Sequence, residues 1–182
     1  DAAITHYESS ALAWERAAFI RARAAAGDVV AGESFLRTIR SFVWRRSLDF
    51  GAIEEIGRLT TRIRDAYAGG QAIGPGYDLK RGRGGIREVE FFAQTHQLIH
   101  GGRRPELRLR GTRAALDVLA DAGIVAEADA MLLGDSYDRL RVLEHRLQMV
   151  ADQQTHSLPA NPAALDAVAR LDGLDDGAAL VA

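Results

Sequence analysis

Apolar residues recur at spacings of three and four along nearly the whole chain. Almost nowhere do they alternate with period two for long enough to make a strand, so the chain is constrained to pack helix against helix. One stretch breaks this rhythm. From 69 to 85 the sequence reads GGQAIGPGYDLKRGRGG, and Pro75 with its flanking glycines cannot continue a helix at low cost. The expected fold is therefore all-α: a multi-helix bundle interrupted by a single glycine-rich loop, with a short extended piece near 77–80.

The periodicity places the elements. A first helix is expected from about Ala2 to Ala25, with Ile4, Tyr7, Ala11, Trp14 and Ala18 on its apolar face and Gly27 as its stop. A second begins near Gly32 or Glu33, carries Phe35, Ile39, Phe42 and Val43 on one side, and ends in Arg45 and Arg46. A third uses Ile53, Ile56, Leu59, Ile63 and Tyr67 before Gly69 and Gly70. After the loop a helix restarts at about Ile86, its stripe formed by Ile86, Val89, Phe92, Ala93, His96 and Ile99, and ends at Gly101 and Gly102. Thr112 is the expected N-cap of a short helix ending before Gly123. The longest helix follows from about Ala126 to Gln153, with Leu133, Tyr137, Leu140, Leu143, Leu147 and Val150 as a core stripe. Beyond Leu158 the segment LPANP is a break. This gives a helical domain at 1–158 and, at 159–182, the start of a further helical segment or a linker.

Composition narrows the function. With 47% hydrophobic residues and a mean hydropathy of −0.11, 182 residues can bury a real core. A net charge of −2 and a pI near 6.2 offer no global basic field, so neither nucleic-acid nor membrane-surface binding is expected. Any polyanion site must be local. The absence of cysteine excludes disulfide scaffolds and cysteine-based metal or redox chemistry, which fits a cytoplasmic protein. No apolar run approaches the roughly 20 residues of a membrane span. Asp1 in place of an initiator Met leads us to expect an excised part of a longer polypeptide.

Of the 23 Lys and Arg residues only Lys80 is lysine, and it sits within the glycine-rich basic stretch. Lys80-Arg81-Gly82-Arg83-Gly84-Gly85 running into a helix is the strongest candidate for chemistry. Glycines let backbone approach an anion, helix-start N–H groups point at it, and Lys80, Arg83 and Arg87 add charge. The stretch reads either as a phosphate-holding turn or as a solvated basic turn. It is neither a P-loop nor a dinucleotide fingerprint. Glu88 and Glu90 lie about 200° apart on a helix and cannot bind one metal from a single face. Either could instead brace Arg16, Arg21 or Arg23 of the first helix, and Arg87 could pair with Glu90. His96 and His100 have zinc-pair spacing, but Gln97 stands where a metalloprotease has glutamate and no third ligand is evident. His145 reads as a core-edge histidine. The cluster Arg103, Arg104, Arg108, Arg110 and Arg113 reads as solvated, or as a surface for phosphate or an acidic partner.

Three segments in order, WERAAFIRARAAAGD from Trp14, DLKRGRGGIREVEFFAQTHQLIHGGRRPELR from Asp78, and YDRLRVLEHRLQMVADQQTHSLP from Tyr137, resemble the glutamine synthetase adenylyltransferase/adenylyl-removing enzyme family. The form K-x-G-x-G-G-I-R-E-x-E-F, met from Lys80 to Phe91, looks like that family's N-terminal, adenylyl-removing half. The resemblance implies phosphorolytic removal of AMP from a glutamine synthetase tyrosine, Mg²⁺ held by aspartates of a G-S-x(n)-D-x-D motif, and ATP, ADP and phosphate as ligands of the intact enzyme. It also implies control by the signalling protein PII and by glutamine. Carried onto this chain, it makes Lys80, Arg83, Gly84, Gly85 and Arg87 candidates for nucleotide or phosphate contact, with Glu15, Arg16, Arg21, Arg23, Glu88 and Glu90 in support. The chain contains no G-S-x(n)-D-x-D, so no catalytic or metal-binding residue is assigned here, and the chain alone is expected to be inactive. Its partners would be glutamine synthetase, PII and an upstream nucleotidyltransferase core of the same polypeptide. The rival readings are a helical docking or spacer module for glutamine synthetase or PII, and the related PII uridylyltransferase.

Overall fold

In the computed structural model, the residues described are 2–9, 11–46, 51, 53–55, 57–58, 61–62, 65 and 72–181. Helices α1 (Ala2–Ser9), α2 (Ala13–Ile20), α3 (Val29–Thr38) and α4 (Arg40–Val43) precede the glycine-rich loop. After it come α5 (Ile86–His100), a 3₁₀ turn at Pro105–Leu107, α6 (Thr112–Asp121), α7 (Glu127–Ala151), α8 (Pro162–Leu171) and α9 (Gly177–Val181). The fold is all-α, as expected. Ile53 is helical, whereas Ile56, Leu59, Ile63, Tyr67, Gly69 and Gly70 of the third expected helix lie outside the described residues. No described helix is long and apolar enough to cross a membrane.

The expected first helix is two. Leu12 is extended (φ −80°, ψ 155°), and the Glu15 carboxylate accepts its N–H at 2.9 Å, so the chain re-enters helix at Ala13 with a new apolar face. Ala17 and Ile20 are buried on that face; Trp14, assigned to a core stripe, is 45% exposed. The helix stops at Ile20, well before Gly27. The second helix starts earlier than expected, at Val29, because the Asp28 carboxylate accepts the Ala31 N–H at 2.9 Å. Thr112 is the first residue of α6, with Gly111 at the cap. Asn161 caps α8 through its side-chain oxygen and the Ala164 N–H, with Pro162 at the first helical position.

Contacts divide the chain into two units. One comprises Asp1–Thr60 with Glu90–Met131. Its core gathers Ala17, Ile20, Ile39, Phe42, Val43 and Leu98, flanked by the rings of Tyr7, Phe19 and Phe35. The other comprises Thr61–Val89 with Leu132–Ala182. There Tyr77 and Leu79 pack with Leu143, Leu147, Leu158, Leu165 and Val168. A fully buried side chain such as Leu147 or Val168 contributes roughly 2 kcal/mol. Residues beyond Leu158 thus complete the same core as the glycine-rich segment. On α7, Leu143 and Leu147 are buried, but Val150 at the far end of the expected stripe is exposed.

The expected extended piece is present as an antiparallel bridge between Asp78 and Ser157. The Gly76 N–H donates to the Leu158 carbonyl at 2.8 Å, the Leu158 N–H to Tyr77 at 2.8 Å, and the Leu79 N–H to His156 at 2.9 Å. This short ladder fixes where the basic turn begins.

Candidate functional site

The turn from Asp78 to Glu88 is organised by a buried carboxylate. Asp78, 6% exposed, accepts the N–H groups of Lys80 and Arg81 at 2.9 and 2.8 Å and the Arg81 Nε–H at 2.9 Å. Its own carbonyl accepts the Gly82 N–H at 2.8 Å. This is the side-chain-to-backbone turn that aspartate forms readily. The buried Tyr77 hydroxyl donates to the Arg83 carbonyl, pinning the tip. Burial, and then the charges of Glu88 and Asp78, push the Tyr77 phenol above its ordinary pKa, so it stays a donor at neutral pH.

The helix start is closed off in the same manner. The N–H groups of Gly85, Ile86, Arg87 and Glu88 donate to the carbonyls of Gly82, Leu79, Lys80 and Gly85 at 2.9–3.0 Å. Gly84, at φ +76°, donates to the Glu88 carboxylate at 2.9 Å. The stretch reads as a phosphate-holding turn or as a solvated basic turn, and in either case these donors bond within the turn, because the Asp78 turn and the ladder fold Leu79 and Lys80 back onto the helix start. What remains for an anion is side chains. Arg83 and Arg87 are exposed, and Arg83 has no ion-pair partner among the described residues.

Lys80 points elsewhere. Its Nζ lies 3.4 Å from Glu144 Oε1, and Glu144 is 2% exposed on α7. Arg141 Nη1 is 2.6 Å from the same carboxylate and His156 Nδ1 2.9 Å. Sequence reasoning assigned Glu144 no role. The available signal was its place in the apolar stripe, four residues after Leu140 and three before Leu147, where a glutamate must find partners to be buried.

The supporting residues separate. Glu88 closes the turn through Gly84. In the other unit Glu90, 5% exposed, binds Arg21 Nη1 at 3.0 Å, so one of the expected carboxylate-arginine braces is present. Arg21 also donates to the Thr112 hydroxyl, which explains why that hydroxyl is not a helix cap. Arg16 is buried with its guanidinium 5.0 Å from the centroid of Phe42. Glu15 serves the α2 N-terminus, and its carboxyl is held below the ordinary value first by the Leu12 N–H and also by His6. Arg23 is exposed.

Other sequence candidates resolve into structure. Gln97 is buried and its amide donates to the carbonyls of Leu107 and Leu109 at 2.7 and 2.8 Å, clamping the 3₁₀ turn to α5. Arg103 donates to the Arg46 carbonyl, and Arg108 to Gly101 at 2.6 Å; Arg104 pairs with Glu106 and Arg113 with Asp117. The His96 and His100 rings stack with centroids 6.2 Å apart. Among the described residues no three His, Asp or Glu side chains converge as a metal site, so the described residues do not fit the implied Mg²⁺.

Burial first, and then His100, hold His96 below its ordinary pKa. The unfolded chain therefore binds a proton on this residue more readily. The associated stability is fully present above the unfolded value of 6.5 and is lost as pH falls below it. A His96→Gln variant should accordingly lose less stability than wild type between pH 7 and pH 5, measured by urea denaturation. An identical loss in both would exclude His96 as the source.

A family model described as GlnD PII-uridylyltransferase matches residues 57–181, more than half of the chain. The chain is also similar to bifunctional glutamine synthetase adenylyltransferase/adenylyl-removing enzymes. That of Bradyrhizobium diazoefficiens is 50% identical over 97% of this chain, that of Caulobacter vibrioides 51% over 95%, and that of Rhizobium meliloti 48% over 98%. In each case the chain spans 18% of the relative's own length.

Proposed function

The chain belongs to the GlnD PII-uridylyltransferase family, and on that premise we propose that it is the helical segment flanking a nucleotidyltransferase site in an enzyme that removes AMP from glutamine synthetase by phosphorolysis. One observation carries the reading: the basic turn is held rigid by Asp78, Tyr77 and Glu88, while Arg83 and Arg87 reach solvent. A preorganised turn presenting guanidiniums suits phosphate or the phosphates of ADP and ATP, because little side-chain order must be imposed on binding. Identity near 50% to adenylyltransferase/adenylyl-removing enzymes across almost the whole chain favours this substrate over PII uridylylation.

In this reading glutamine synthetase and PII are partners of the longer polypeptide. Carboxylates outside this sequence hold any Mg²⁺, and residues 78–88 form a supporting wall. The isolated chain should then show no phosphate-dependent AMP release from adenylylated glutamine synthetase. In the longer enzyme, Arg83→Ala should slow that release about tenfold or more, the loss of one charge-assisted contact of about 1.5–3 kcal/mol. Unchanged turnover and unchanged affinity for phosphate would sink the supporting-wall role. That outcome would favour the docking or spacer reading, to which the internally bonded N–H groups of the turn also lend support.

A further inference from the structure

Within the unit formed by residues 1–60 and 90–131, a cleft of about 260 Å³ opens among α2, α3, α4 and the segment after α5. Its floor is apolar: Ile20, Ile39 and Val43 are buried, and Trp44 is half-buried. Around it stand Arg37, Arg40 and Arg110, all exposed, and none of their guanidiniums has a hydrogen-bond or ion-pair partner among the described residues. Their neighbours in sequence behave differently, since Arg104 and Arg113 each hold a carboxylate. A fourth guanidinium, Arg108, is fixed to the Gly101 carbonyl at 2.6 Å and lies 5.6 Å from the Trp44 ring centroid. Among the described residues Glu33 is the one carboxylate lining the cleft.

This is an excess of cation over an apolar floor, and the positive field is felt inside it. Arg108 has its pKa held down first by burial and then by the charge of Arg40. Grouped guanidiniums without counterions gain from a bound anion, and a planar fork presents two donors at once to a phosphate or carboxylate.

We propose that this cleft binds a small organic anion, its phosphate or carboxylate head on Arg37, Arg40 and Arg110 and its apolar body over Ile20, Ile39 and Val43. Size selects a small molecule: the volume lies just below the roughly 300–1,000 Å³ of drug-sized ligand pockets. A stable protein interface would need roughly 1,200–2,000 Å² of buried surface. The site is separate in sequence from the basic turn at 78–88 and needs no metal.

The test uses the whole chain carrying Trp14→Phe, which leaves Trp44 as the fluorescence reporter. Phenyl phosphate, phenylacetate and inorganic phosphate are titrated by fluorescence and by calorimetry, and the tighter of the two organic anions identifies the preferred head group. That anion should bind saturably, at least tenfold more tightly than inorganic phosphate, and more weakly as salt rises. The double variant Arg40→Gln/Arg110→Gln should weaken it at least tenfold, and Arg170→Gln, an exposed arginine of the other unit, should leave it unchanged. Should the double variant lose helicity by circular dichroism, Glu33→Gln serves instead and should tighten binding severalfold by removing a like charge. Absence of saturable binding by both organic anions, equal affinity in the double variant, or inorganic phosphate binding as tightly as phenyl phosphate would overturn the proposal.

Discussion

Gly85→Ala is expected to destabilise the unit that holds the basic turn by about 3 kcal/mol, at the upper end of what overpacking costs. A Cβ on Gly85 would lie 2.7 Å from the Leu79 carbonyl oxygen, 2.8 Å from that of Gly82 and 3.1 Å from the Lys80 carbonyl carbon. All three are backbone atoms, and none can rotate away. The first two are also acceptors: Leu79 takes the Ile86 N–H at 3.0 Å and Gly82 takes the Gly85 N–H at 2.9 Å. Relief of the clash therefore breaks the bonds that start α5. Gly84 offers the contrast, because a Cβ there meets nothing within 4 Å. Gly84→Ala should cost only the left-handed backbone, about 1–2 kcal/mol. Urea denaturation followed by far-UV circular dichroism measures both as midpoint shifts at constant slope. A larger loss at Gly84 than at Gly85 would refute close approach as the reason for the second glycine.

The same turn shows where the sequence was legible and where it was not. Period and breakers placed α5 and α7 to within two residues and located the extended piece, because those signals are local. The glycines pointed correctly to close backbone approach. In the folded chain the turn's own backbone makes that approach, and its position depends on Asp78 and on Leu158, some eighty residues away. The break between α1 and α2 had no cap signal, since the residue at the cap is Leu12 and the group that satisfies its N–H is Glu15, one turn inside the helix. Asp28 is a legible cap, although the apolar period by itself starts the helix later, at Gly32 or Glu33. Thr112 looked like a cap from its neighbours, but its hydroxyl is claimed by Arg21, ninety-one residues away. Charge partners are the least local property. Glu90 and Arg21 could be named as candidates from sequence, whereas Lys80 and Glu144 could not be paired.

That pairing yields the second large effect. Glu144→Gln is expected to destabilise its unit by about 2 kcal/mol. Breaking a fully buried ion pair costs about 3–5 kcal/mol because the remaining charge is stranded. Here the carboxylate is 2% exposed, but Lys80, His156 and Arg141 are 27%, 17% and 35% exposed and can rehydrate in part. The cost therefore falls below that range, yet above the 0–1 kcal/mol of a surface pair. Lys80→Ala should cost less than 1 kcal/mol, because Arg141 and His156 still meet the carboxylate. In the Glu144→Gln background it should cost almost nothing, so the double-mutant cycle reads a positive coupling. Additive losses would mean that Lys80 and Glu144 do not act on one another. The cycle also determines how activity data on the basic turn are read. A lysine engaged by a buried carboxylate changes the turn's footing when removed, so loss of turnover in Lys80→Ala does not separate phosphate contact from support. Arg83 makes no such pair among the described residues, and its substitution tests phosphate contact alone.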